Sequence, residues 1–177
     1  LQASLSACFD ALRACDSLPA VAHLQCGIAS GRAAAGVGEA TVCSTGDVSH
    51  PSKQEYTLDY DVDLTAPLVA HGIDVLAIKD MAGLLKPRAA TMLVGALREK
   101  FPDLPIHVHT HDTAGTGVAS MLACAEAGAD VVDVCTDALA GLTSQPSIGA
   151  LIGSTQGTAH DLSLIHLSEP TRPTPQQ

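Results

Sequence analysis

The chain has 177 residues, enough for one ordinary domain. Apolar residues are 46% of it and charged ones 16%, which excludes a disordered acidic chain because there is enough apolar surface for a core. Trp is absent, the aromatics are Phe9, Tyr56, Tyr60 and Phe101, and the formal net charge is −10, so neither a nucleic acid nor an anionic membrane surface is an expected partner. No apolar stretch reaches the ~18 residues of a membrane span. No basic-then-apolar leader is visible, and the first residue is Leu1 rather than Met, which leaves a lost leader open. Cys8, Cys15, Cys26, Cys43, Cys124 and Cys135 form no CxxC pair and sit in apolar runs such as 121–125. They are expected to be reduced, buried thiols, which suggests a reducing compartment.

Residues 1–36 are Ala-rich, with a helix expected from about Ser17 and no strand identified before Glu39. Glu39 to Cys43 then reads as a strand ahead of the turn Ser44-Thr45-Gly46-Asp47. Residues 58–70 have a helical pattern interrupted by Pro67, and an interior proline costs about 3 kcal/mol, so a kink or a late start is expected. Ile73 to Ile78 is short, apolar and β-branched, hence a strand. Residues 88–100 follow as a helix with Met92, Leu93, Ala96 and Leu97 on one face. Pro105 to His109 is the next strand. Gly117 to Ala127 is the next helix, grouping Val118, Met121, Leu122 and Ala125, and Asp130 to Cys135 is a further strand.

Strand alternating with helix predicts βαβ units and a parallel sheet. The strands recur every 25–35 residues or so, and a (β/α)8 barrel of about 250 residues averages about 31 per unit. No glycine-rich phosphate loop follows a strand, as a doubly wound sheet would favour. The expected fold is therefore α/β, a partial (β/α)8 TIM barrel: its C-terminal half, with about four parallel strands and flanking helices over residues 37–160. Residues 161–177 end in a proline-rich run and are expected to be disordered. Ser163 to Arg172 also reads like a translated sequencing adapter, so this tail is expected to be non-native.

His107-Val108-His109-Thr110-His111-Asp112 is the most informative stretch. Residues two apart on a strand share a face, so His109 and His111 could converge on one divalent ion; the plain alternative is a pair of hydrogen-bonded histidines. His107 lies deeper and reads as a satisfied interior histidine. Lys79 ends the preceding strand, and in a parallel barrel the carboxyl ends of the strands form the active face. There it could act as a base, form a Schiff base, or be carboxylated by CO2 to give an anionic oxygen ligand. An exposed, snorkelling lysine is the alternative. Asp80 and Asp112 could orient a ligand from behind or cap the next helix, and capping is the expected role. Gly83, Gly115 and Gly117 suit tight turns beneath that face. Thr143, Ser144 and Gln145 offer hydroxyls and an amide at the same rim, or simply form a βα loop.

Lys79 to Pro87 (KDMAGLLKP), His107 to Gly115 (HVHTHDTAG) and Gly141 to Ser147 (GLTSQPS) together resemble the carboxyltransferase domain of the pyruvate carboxylase family, from about Phe9 to about Thr158. The resemblance implies a (β/α)8 barrel with a divalent metal, zinc or manganese, held by N6-carboxylated Lys79, His109 and His111. It also implies carboxyl transfer from carboxybiotin to pyruvate, giving oxaloacetate. Biotin would arrive on a separate carrier domain, and ATP would act only in another domain that the chain lacks. The implied assembly is a homotetramer in the cytoplasm or the mitochondrial matrix. The family's fourth ligand, an Asp on the first barrel strand, and its pyruvate-binding Arg would lie upstream, and its proton-handling Thr downstream of Leu162. The chain by itself is therefore expected to be inactive. The family usually carries Tyr where this sequence has Ser44 and Asp61, and Pro67 is unusual.

Three other readings stay open on these residues. An oxaloacetate decarboxylase α-type carboxyltransferase would keep Lys79 and the histidines but change the loop at Thr143 to Ser147. A metal-dependent aldol-type lyase or synthase of the same barrel superfamily would keep the histidine pair with an unmodified lysine. A helical, Ala-rich interaction fragment with incidental histidines would bind no metal.

Overall fold

The computed structural model describes residues 11–15 (as backbone), 28–29, 36–50, 52 and 56–162. The expected helix from Ser17, most of the 1–36 segment, Cys8, Cys26, the Cys15 side chain and the 163–177 tail lie outside the described residues. Among the described residues five strands form one parallel sheet in sequence order: β1 (Ala11–Cys15), β2 (Val37–Ser44), β3 (Val75–Asp80), β4 (Ile106–Thr110) and β5 (Val131–Val132). Helices α1 (Leu58–Ala70), α2 (Pro87–Lys100) and α3 (Gly117–Glu126) make the crossovers, and α4 (Ile148–Thr155) follows β5. The expected α/β architecture with barrel-type βαβ units is what the chain adopts.

Two expectations about strands need correction. A strand does precede Glu39: β1 pairs with β2 from Ala11↔Val37 to Cys15↔Thr41. Its sequence, ALRAC, lacks the β-branched residues that mark the other strands, and pairing along a neighbour's edge overrides weak propensity. The strand expected over Asp130 to Cys135 contracts to Val131–Val132, because Cys135 turns away to bridge Ser147 instead of continuing along β4.

One face of the sheet carries the apolar layer. Ala40, Val42, Leu76, Ile78, Ile106 and Val108 pack against Leu68 of α1, Leu93, Val94 and Leu97 of α2, and Met121 and Cys124 of α3. The buried stripe of α2 is centred on Ala90, Leu93, Val94 and Leu97, slightly rotated from the expected one. Helix α1 starts at Leu58, capped by Thr57 Oγ1 accepting from Tyr60 N–H, and runs through Pro67. The late start therefore does not occur. Pro67 falls in the last turn, and the main-chain carbonyl it leaves unpaired belongs to exposed Asp63. Among the described residues no helix is long and apolar enough to cross a membrane. Cys124 and Cys135 are free thiols. Burial first, and the charge of Asp80 second, push the Cys124 thiol up to about 12, which keeps it inert.

Ser44 and Asp61 meet in space. Ser44 and Asp61 line one small void of about 10 Å³ between the sheet and α1–α2, beside Val42, Thr65, Leu76, Ile78, Leu93 and Leu97. Ser44 Oγ and Asp61 Oδ1 are buried there without hydrogen-bond partners. Among the described residues no cation lines the void, and burial pushes the Asp61 carboxyl up from 3.8 to about 6. A carboxyl raised in the folded state favours folding when protonated, and that advantage is lost as pH rises through its folded value. Asp61→Asn is expected to stabilise the chain by about 3 kcal/mol at pH 7, by less near pH 6, and to be neutral at pH 4. Urea unfolding of both proteins across that range checks this. A difference independent of pH would contradict it.

Candidate metal centre at the strand ends

Residues in register on parallel neighbours share a face. Cys43 pairs with Lys79 and Lys79 with His109, so these form one rank across β2, β3 and β4. The alternate residues Ile78, Asp80, Val108 and Thr110 are the buried ones, so the rank lies on the face away from the helices. Thr41, Ala77 and His107 form the rank below it. His111 follows at the exit of β4, its ring 5.1 Å from that of His109 and nearly perpendicular to it, at 83°.

Hydrogen bonds determine which nitrogen each ring presents. His109 Nδ1 lies 2.6 Å from Asp133 Oδ2, and His111 Nδ1 lies 2.7 Å from the main-chain oxygen of Thr143. A carboxylate and a carbonyl only accept, so each Nδ1 carries the hydrogen and each neutral ring keeps its lone pair on Nε2. His107 uses both nitrogens on carboxylates: Nδ1 is 2.7 Å from Glu39 Oε1 and Nε2 is 2.7 Å from Asp133 Oδ1. The bond to Asp133 is the strongest influence on His107 and raises its proton affinity; burial opposes this and Glu39 reinforces it. Burial alone would push the Asp133 carboxyl up, but hydrogen bonds from His107 and His109 and their charges bring it down to about 2.

Two imidazole nitrogens with available lone pairs are donors that Zn²⁺ and Mn²⁺ accept. Among the described residues no group of three or more His, Cys, Asp or Glu side chains is placed to hold a metal. Lys79 is half-buried beside His109 in register.

Asp80 points to the other face and is fully buried. Oδ1 accepts from Ala82 N–H at 3.3 Å and Leu84 N–H at 3.0 Å; Oδ2 accepts from Leu85 N–H at 3.0 Å and Thr110 Oγ1 at 2.9 Å. It organises the loop after β3 and ties it to β4. Asp112 Oδ1 accepts from Gly117 N–H at 2.8 Å, at the start of α3. The side chain oriented behind a histidine is Asp133.

The 143–145 segment contributes through its main chain. Thr143 O faces His111, and Ser144 O accepts from Asp112 N–H at 2.8 Å. Gly117 permits this close approach: a Cβ there would stand 2.5 Å from Pro146 Cγ. At Gly83, φ is +70° and a Cβ would stand 2.9 Å from Ala114 Cβ, so glycine seats one loop on the next. Asp133, Glu39 and the Thr143 carbonyl were not singled out from the sequence. The signal for Glu39 is a charged residue inside the otherwise mostly apolar strand β2.

A parallel βαβ sheet with paired imidazoles and a lysine at its carboxyl edge defines an α/β domain of barrel type. A model of the HMGL-like family matches residues 31–145, and the chain belongs to that family. Among its relatives, the pyruvate carboxylase of Aspergillus niger is 59% identical over 152 residues, 86% of this chain and 13% of the relative. The mitochondrial enzyme of Rattus norvegicus is 55% identical over the same share. The carboxyltransferase domain of Rhizobium etli pyruvate carboxylase, solved with pyruvate, superposes with a TM-score of 0.87 at 40% identity, covering 90% of this chain and 27% of that domain. The same domain is also known with pyruvate and biocytin. The chain thus spans a small part of the relatives it matches.

Asp80→Ala is expected to lower stability by about 3 kcal/mol, because it strands two buried donors, Leu85 N–H and Thr110 Oγ1. Chemical denaturation checks this, and a loss below about 1 kcal/mol would mean that water replaces the carboxylate.

Proposed function

We propose that the chain supplies the metal-holding edge of a biotin-dependent carboxyltransferase, which moves a carboxyl group from carboxybiotin to pyruvate and yields oxaloacetate. The supporting observation is the pair of Nε2 atoms left free by the bonds of His109 to Asp133 and of His111 to Thr143 O, beside Lys79 in register. In this reading His109, His111 and Lys79 hold a divalent zinc or manganese ion. A plain ammonium has no lone pair, so Lys79 ligates after its neutral amine bonds the carbon of CO2 and releases one proton, leaving a carbamate oxygen as donor. The bound ion would polarise the pyruvate carbonyl and ease loss of a methyl proton to give the enolate. Asp133 and Thr143 O keep the two rings in the ligating tautomer. The loop at 141–147, packed against Gly117, closes the rim over them.

Whole-enzyme features belong to the same proposal. They are a biotinylated carrier domain as partner, ATP consumed in a separate domain, a homotetrameric assembly, and residence in the cytoplasm or the mitochondrial matrix. The names of the relatives and the pyruvate- and biocytin-bound Rhizobium etli domain support it. The domain division 1–36, 37–160 and 161–177 also remains part of the reading.

Two measurements test it. The chain is expected to take up one equivalent of zinc, with affinity falling roughly 100-fold or more in His109→Ala and in His111→Ala. Uptake that is indifferent to both changes would contradict the site. For the reaction, residues 31–145 would replace their counterpart in the Aspergillus niger enzyme. The chimera is expected to form oxaloacetate, and Lys79→Ala to reduce the rate by on the order of 100-fold. A folded, biotinylated chimera that transfers nothing would overturn the assignment.

A further inference from the structure

Four side chains on the polar face form a continuous hydrogen-bonded line. Glu39 Oε1 meets His107 Nδ1 at 2.7 Å, His107 Nε2 meets Asp133 Oδ1 at 2.7 Å, and Asp133 Oδ2 meets His109 Nδ1 at 2.6 Å. The line runs from β2, over β3, to β4 and the segment after β5. Its two ends differ in environment. The Glu39 and His107 side chains are 10% and 12% exposed, whereas Asp133 and His109 are 31% and 19% exposed.

The Asp133 main chain is tied to β4 by its N–H to Val108 O at 3.0 Å, but its carboxylate is partly exposed, and water can compete for either of its oxygens. Holding one oxygen on His107 fixes the rotation of the carboxylate and aims the other at His109. His107 can do this only if its own ring is fixed, and Glu39, anchored in the eight-residue β2, fixes it from the far side. We propose that Glu39 is a positioning residue for the metal centre, acting through His107 and Asp133 to hold His109 with Nε2 presented. This rests on the reading of His109 as a metal ligand.

The test uses the whole chain with zinc alone as probe, in competition with a chromogenic chelator, together with ¹⁵N NMR of the imidazole rings without metal. Glu39→Ala is expected to weaken zinc binding about 10-fold and to replace the single Nδ1–H form of His109 with a tautomer mixture. Glu39→Gln, which keeps an acceptor for His107, is expected to restore both within about 3-fold. Glu39→Asp keeps the charge but withdraws the carboxylate by one methylene. It is expected to weaken binding as well, and it serves where the alanine variant does not fold. In an Asp133→Asn background Glu39→Ala is expected to add nothing. Unchanged affinity and tautomer in folded Glu39→Ala or Glu39→Asp, or an undiminished effect in the Asp133→Asn background, overturns the proposal. If the parent chain takes up no zinc, the metal reading fails instead, and the His109 tautomer still decides the role of Glu39.

Discussion

Everything proposed for this chain depends on two hydrogen bonds on the sides of two imidazoles that face away from the proposed ion. Asp133 accepts from His109 Nδ1, and the main-chain oxygen of Thr143 accepts from His111 Nδ1. Without them a neutral histidine divides its hydrogen between two nitrogens and its ring between rotamers. With them, both rings expose an unprotonated Nε2 in a fixed direction. The selection takes place before any ligand arrives, so less ordering remains to be done on binding.

The sheet makes the arrangement possible. Parallel register places Lys79 directly beside His109, and the alternation of faces sends Ile78 and Val108 into the helices while Lys79 and His109 go to the other side. Asp80 then closes the helix-side end of the same strands by gathering three main-chain N–H groups and the Thr110 hydroxyl. Neighbouring residues in sequence, Lys79 and Asp80, thus divide chemistry and scaffolding between the two faces. The void at Ser44 and Asp61 lies in the apolar layer, on the face away from the histidines, so its burden bears on stability and not on the geometry of the centre.

The strands from Glu39 onward and the three crossover helices were legible because their apolar spacing carries the period of each element. The first strand was not, because ALRAC has the composition of a helix and becomes a strand through its pairing with β2. Lys79, His109 and His111 stand out because their chemistry is written in their side chains. Asp133 is one carboxylate among many, and only the fold shows that it reaches both His107 and His109. The Thr143 contact is a main-chain carbonyl, which leaves no trace in residue identity. Ser44 and Asp61 lie on different elements, so their meeting in one void is a fact of packing alone.

X-ray absorption on the zinc-loaded chain tests the central claim most directly. Two imidazole nitrogens at about 2.0–2.1 Å with light oxygen donors completing the shell are the expected result. A shell containing sulfur, which Cys43 in the neighbouring rank position could supply, or fewer than two imidazoles, would contradict it.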